Sequence, residues 1–247
     1  MDSGYYAAFA GLLARTEALD SAASNLSNAS TKGFRAEREY FRSAIMGPDA
    51  LNSQLNRTVN DFGVLGGNRL DLGQGPLVPT GNPLDLAIEG QGFFAVQTKA
   101  GIRYTRNGQF RRSVDGSLVT AQGEPVLNAK NQPIRMPAGD ITISSEGVIS
   151  VDGAVVASFG LFTFPSADSV VPEGTNRYAP VSGALPAVAA PASASIRQGS
   201  LEGSNQDVIQ STLQLILVQR QAEMMQKALT IFNNDFDKTA SEELPKV

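Results

Sequence analysis

The residues that most often carry chemistry are missing from this chain: among its 247 residues there is no cysteine, no histidine and no tryptophan. Without thiol or imidazole, a Ser-His-Asp or Cys-His nucleophile and a zinc centre have no parts to work with. One glycine pattern has a chemical spacing. Gly90-Gln91-Gly92-Phe93-Phe94-Ala95 matches a dinucleotide-binding turn and follows the apolar run Leu86-Ala87-Ile88. Such a turn works only when a helix N-terminus follows to hold the pyrophosphate. Here Phe94-Ala95-Val96-Gln97 follows, a strand pattern, so Gly90 and Gly92 are expected to serve a tight turn or bulge. Tyr104-Thr105-Arg106-Asn107-Gly108 reads as a strand running into an Asn-Gly turn, with Arg106 on a wet face. The sequons at Asn25, Asn28 and Asn56 mean nothing without a secretory signal. No carboxylate pair stands out by local spacing from solvated surface. The expectation is no catalytic residue, no metal ligand and no cofactor.

Net charge is −4, from 20 basic and 24 acidic residues, and neither sign forms a long block. A nucleic-acid partner calls for a basic excess or face, so none is expected. Asp2, Arg15 and Glu17 interrupt what would be the apolar core of a secretory leader. The apolar run Leu213 to Val218 contains Gln214 and is far too short to span a bilayer, so no direct membrane insertion is expected.

The elements that organise the chain lie at its ends. Val208, Leu215, Ala222, Leu229 and Phe236 are seven apart, and Ser211, Val218, Met225 and Phe232 are seven apart between them. That is a two-position heptad seam, and a seam requires a partner. Near the N-terminus Tyr5, Leu12, Leu19 and Leu26 repeat the spacing, with Phe9, Thr16 and Ala23 in the alternate slots. The two seams are expected to pair as an α-helical coiled-coil domain, with an antiparallel all-β domain inserted between them, an α+β protein. The boundaries follow: an N-terminal helix over 1–33, an extended connector over 34–80 with a short helical turn near 36–46, the β-domain over 81–200, and the C-terminal helix over 201–247. Asn25, Asn28, Ser30, Thr31 and Gly33 close the first helix. Asp115-Gly116, Glu146-Gly147 and Asp152-Gly153 punctuate the β-prone runs as hairpin turns. The stretch from Ala184 to Ser195 reads as a loop, and helix is expected to resume at Leu201 to Asp207 with Ser204, Asn205 or Asp207 as cap.

Three ordered runs carry a family likeness. The first, Ala23 to Arg35, contains Asn25, Leu26, Asn28, Thr31, Gly33 and Phe34; the last, Leu201 to Val208, contains Glu202, Ser204 and Asn205. Between them stand Leu84 to Val96, with Asp85, Gly90, Gly92 and Phe93, and Tyr104 to Phe110, with Thr105, Arg106 and Gly108. Together they resemble the rod and hook proteins of the bacterial flagellum. The resemblance implies an axial, non-enzymatic subunit of the basal body. It implies terminal helices that line an inner tube and assemble through the seam residues, and a β-domain outside that tube. It implies other rod and axial proteins, further copies of the chain and the flagellar type III export apparatus as partners, and a periplasmic place reached without a cleaved leader. The tail from Asn233 to Val247 points to a proximal rather than a distal rod type. The terminal helices are expected to lock only when neighbours cover them. The reading outside this family is a β-domain binding module whose helices only dimerise it.

Overall fold

A computed structural model describes residues 2–42, 64–174, 176–181, 187–191 and 193–242. An N-terminal helix α1 (Asp2–Ser27) and a C-terminal helix α2 (Val208–Glu242) flank a mainly antiparallel β-body, so the protein is α+β. The chain forms two compact units. Met1–Ser27, Glu37–Asn68 and Val208–Val247 make a helical unit, and Asn28–Ala36 with Arg69–Asp207 make a β unit.

Within the helical unit α1 packs on α2. The α2 face turned inward holds Ser211, Val218 and Leu229, buried, with Leu215, Ala222 and Met225 half-buried between them. Val208, at its start, is 49% exposed. Among the described side chains of α1, Gly11, Ala14, Ala18, Ser21, Ala22 and Asn25 are buried. This corrects the expected stripe: Leu12, Leu19 and Leu26 are half-buried at its flank, and Phe9, Thr16 and Ala23 are exposed. The seven-residue spacing holds, but the buried line Gly11, Ala14, Ala18, Ser21 and Asn25 lies two positions on from Phe9, Leu12, Thr16, Leu19 and Ala23, on a different face of the helix. Interaxial distance follows the size of the contact side chains, so a line of Gly, Ala and Ser allows close approach while the leucines pack beside it. The side chains of Tyr5, Phe232 and Phe236 lie outside the described residues.

The expected helical turn near 36–46 is instead a strand, β1 (Glu37–Arg42), paired with β2 (Val64–Leu70); positions 43–46 lie outside the described residues. Asn25 explains the choice. Its side-chain amide donates to the Glu37 carbonyl at 2.7 Å and accepts from the Glu37 N–H at 2.9 Å, the pair of bonds a neighbouring strand would offer.

In the β unit, β3 (Leu77–Pro79), β4 (Leu86–Glu89), β5 (Phe93–Thr98) and β6 (Gly101–Thr105) follow in order. β5 is the centre of a six-stranded sheet in which β6 lies on one side and β12 (Leu161–Thr163) on the other. Its Phe94 and Val96 enter a core with Leu86, Ile88, Phe110 and Ile149; its Phe93 and Ala95 enter a second core with Tyr104, Phe164 and Tyr178. A strand covered on both faces needs an unbroken apolar run, which is what Phe93-Phe94-Ala95-Val96 supplies. Edge-to-face rings tie each core, Phe94 to Phe110 at 5.1 Å and Phe93 to Tyr178 at 5.4 Å.

The short hairpins end in the turns their residues favour. β7 (Phe110–Arg112) and β8 (Leu118–Thr120) flank Asp115-Gly116, while β9 (Ile141–Ile143) and β10 (Val148–Val151) flank Glu146-Gly147. Asp152 and Gly153, both at positive φ (50° and 81°), join β10 to β11 (Ala154–Ser158). β13 (Val170–Pro172) and β14 (Arg177–Pro180) continue the large sheet, β15 (Val188–Ala189) closes its other edge, and β16 (Ser195–Gln198) pairs with β4. The helix expected from Leu201 is absent there. Ser200–Glu202 is a strand, β17, paired with β3 through Leu201 and Val78, and α2 begins at Val208 after Asp207.

Candidate functional site

The sequence runs that carry the family likeness come together inside the β unit around one carboxylate. Glu202, on β17, accepts from Arg35 Nη2 at 2.6 Å through Oε1, and from Arg106 Nη1 at 3.1 Å through Oε2. The backbone N–H of Gly75 adds a third bond to Oε1 at 2.9 Å. All three charged side chains are shut from solvent, at 0%, 0% and 2% exposure for Glu202, Arg35 and Arg106. Two guanidiniums and one carboxylate in a dry interior call for further acceptors; among the described residues Arg35 Nε and Nη1 and Arg106 Nε have none, while the rest of the Arg106 guanidinium has two. Arg106 meets them by donating to the carbonyls of Ile88 at 3.2 Å and Gly90 at 2.6 Å, and it lies over the Phe93 ring at 5.3 Å.

Arg106 is therefore not on a wet face, as its place before an Asn-Gly turn suggested. The turn points its guanidinium inward because the carboxylate and both carbonyls converge there. Burial pulls this guanidinium down to about 10, with Glu202 opposing that loss and Arg35 adding to it. Tyr178 completes the cluster. Its hydroxyl accepts from the Arg35 N–H at 2.8 Å and donates to the Gly33 carbonyl at 3.3 Å. Burial drives this phenol well above the ordinary tyrosine value.

Two glycines allow the close approaches on which the cluster depends. Gly33, at φ 69°, donates its N–H to the Glu202 carbonyl at 2.9 Å, and a Cβ there would overlap the backbone of Asn107. A Cβ on Gly108 would overlap the carbonyl oxygen of Leu86, to which strand the turn is bound by Leu86 N–H to Gly108 O at 3.0 Å. Gly90 (φ 89°) and Gly92 (φ 152°) form a turn between two strands, with no helix after it. Thr105 Oγ1 donates to Asn176 O at 2.7 Å, and Asp85 accepts from Asn82 Nδ2 at 3.1 Å, so both brace loops beside the cluster.

Side-chain amides stand in for missing strand partners. Asn205 is no helix cap: it accepts from Ala36 N at 2.8 Å and donates to the carbonyls of Asp71 and Gly73 at 2.8 and 3.1 Å. Gln74 likewise grips β4 and its turn, donating to Ile88 O and accepting from Gly90 N, both at 3.0 Å. Thr31 and Asn28 bond each other at 3.1 Å, Ser204 accepts from Gln206 N at 3.2 Å, and Phe34 and Leu201 are buried. Sequence reasoning missed Tyr178, Gln74 and the charge role of Arg35. Their partners lie too far off in the chain for any local spacing to show them. Among the described residues no group of acidic side chains could hold a metal ion.

The helical unit offers a different surface. Opposite its seam, α2 exposes Ile209, Leu213, Ile216, Leu217, Met224 and Ile231, each between 43% and 72% open. Arg220 and Lys227 fall in the same stripe and are exposed. On α1, Phe9 and Leu13 are 52% and 54% exposed. No described helix is long and apolar enough to cross a membrane.

A closed β-body with a structural charge cluster and an amphipathic pair of terminal helices is the build of a subunit made to pack with others, and the comparisons agree. Residues 87–151 match the model of the flagellar hook protein FlgE/F/G D1 domain. Over its full length the chain is 32% identical to the flagellar basal-body rod protein FlgF of Caulobacter vibrioides, with all of both chains covered. It is 34% identical to FlgF of Escherichia coli over 84% of this chain and 85% of that one. It is 32% identical to the rod protein FlgG of Agrobacterium fabrum over 89% and 91%. The chain belongs to the flagellar basal-body rod protein family, a structural rather than enzymatic family, and is most like its FlgF members.

Proposed function

We propose that this rod subunit assembles through its terminal helices, with further copies of itself and with other rod and axial proteins, into the torque-transmitting shaft of the basal body. The helices form a coiled-coil domain lining the inner tube, and the β unit sits outside it. The chain reaches the periplasmic rod through the flagellar type III apparatus.

The observation that carries this reading is the second apolar stripe on α2. A helix that has already buried one face against α1 has no use for six large apolar side chains on the opposite face unless something covers them. Covering one such side chain is worth about 1.5 to 3 kcal/mol, so the stripe can offset the ordering cost of bringing subunits together. Ile216→Lys tests it. The expected outcome is a folded, soluble chain that no longer enters rods, with motility lost. Normal swimming and normal incorporation of the variant would contradict the reading.

A further inference from the structure

We infer that the β unit closes around one small monovalent anion of the chloride class, held by the buried guanidiniums of Arg35 and Arg106 beside Glu202. The inference concerns the β unit alone and does not depend on how the terminal helices assemble.

Charge is the first ground. Two guanidiniums against one carboxylate leave one positive charge over, in a cluster whose three side chains are shut from solvent. Among the described residues Glu202 is the only carboxylate paired with either arginine. Proton loss does not relieve the excess. Arg106, though drawn down to about 10, keeps its proton at neutral pH, and Tyr178, driven upward by burial, stays a neutral phenol there. A charge left without a partner in a dry interior is far more costly than a paired one.

Hydrogen bonding is an independent second ground. Arg35 Nε and Nη1 and Arg106 Nε are buried donors with no acceptor among the described residues. Arg35 spends only Nη2, on Glu202, whereas Arg106 spends Nη1 and Nη2 on Glu202 and on the carbonyls of Ile88 and Gly90. Buried donors of this kind are met by an internal water or by an ion. Water would accept from them, but it would leave the charge standing and bring two hydrogens that need acceptors of their own. A halide accepts from several N–H groups, brings no hydrogen and cancels the charge. Closure of all three side chains to solvent favours a single-atom ion over phosphate, sulfate or a carboxylate from another chain. Arg35 offers two of the three donors, so it is the principal ligand. An anion taken up only by the folded chain adds its binding free energy to closure of the β unit.

The test is urea unfolding of the full chain while chloride replaces gluconate at constant ionic strength, gluconate being too large for a sealed site. The folding constant is expected to rise with chloride, approaching about tenfold for each tenfold rise in concentration as the site fills. Equal stability at every chloride fraction would overturn the inference and leave the donors to water. Arg35→Met removes one positive charge together with two of the donors, so the chloride dependence is expected to vanish in it. A folded Arg35→Met chain that keeps the dependence would overturn the assignment, because the ion would then bind elsewhere. Bromide gives a readout that needs no variant. Crystals of the full chain grown in bromide are expected to show anomalous scattering within hydrogen-bonding reach of Arg35 Nε or Nη1, and crystals whose only bromides lie on the protein surface would overturn the inference.

Discussion

Glu202 holds two arginines that no water reaches, so the consequences of changing it follow from electrostatics more than from packing. Glu202→Gln keeps the shape but leaves both guanidiniums without a countercharge, at a cost of about 3 to 5 kcal/mol. A urea titration of the purified chain would show it as a lower midpoint with an unchanged slope. Tyr178 makes a pH prediction. A group whose folded value is raised contributes stability that is fully present below its unfolded value, and that stability is lost as pH rises through the folded value. Tyr178 is such a group. Its contribution is whole at neutral pH and declines above the ordinary tyrosine value, near 10. Arg106, lowered to about 10, acts in the opposite sense, because an unfolded chain that keeps its proton longer makes stability rise with pH above that point. In Tyr178→Phe the alkaline decline is expected to shrink, and a phenolate absorbance titration is expected to lose its latest-ionising tyrosine. This scale was the least legible in the sequence. Arg106 read as surface because its local context is an Asn-Gly turn, while its partner lies 96 positions away. No periodicity reports a single long-range ion pair.

The elements were more legible, because helices and hairpins are set by neighbours in the chain. Phe93-Phe94-Ala95-Val96, the Asp-Gly turns and the heptads each announce a local structure that the fold contains. What spacing alone left open was which heptad position faces inward. On α2 the expected seam from Ser211 to Leu229 is the buried or half-buried one, although larger side chains stand on the opposite face. On α1 the leucines are not the contact line; the smaller residues are, because they let two backbones approach. Two substitutions separate these readings. Ala18→Leu, at a position 1% exposed, is expected to overpack the α1–α2 contact and cost about 1 to 3 kcal/mol. Leu12→Lys, half-buried at the flank, is expected to cost much less, because a lysine there can carry its charge to water along its own stem. Leu215→Lys, inside the α2 seam, is expected to block incorporation while the β unit stays folded. Helical circular dichroism on melting would check the first two, and the share of the variant in isolated rods the third. Equal losses for Ala18→Leu and Leu12→Lys would restore the leucine seam. The same locality explains the misread stretches at Glu37–Arg42 and Ser200–Glu202. Both are strands only because distant groups, Asn25 for the first and Val78, Arg35 and Arg106 for the second, give them partners.

At the scale of the molecule, the two units differ in how they are completed. The β unit closes on its own two aromatic cores and its charge cluster. The helical unit buries one face of α2 and leaves another apolar face open. Helices with a small buried surface open locally at low free energy, whereas cross-braced strands do not. Amide exchange measured on the free chain and on isolated rods compares these states most directly. Low protection across α1 and α2 in the free chain, rising on assembly while the strands stay unchanged, is the result this account requires. Helices already as protected as the strands in the free chain, with no gain in the rod, would contradict it.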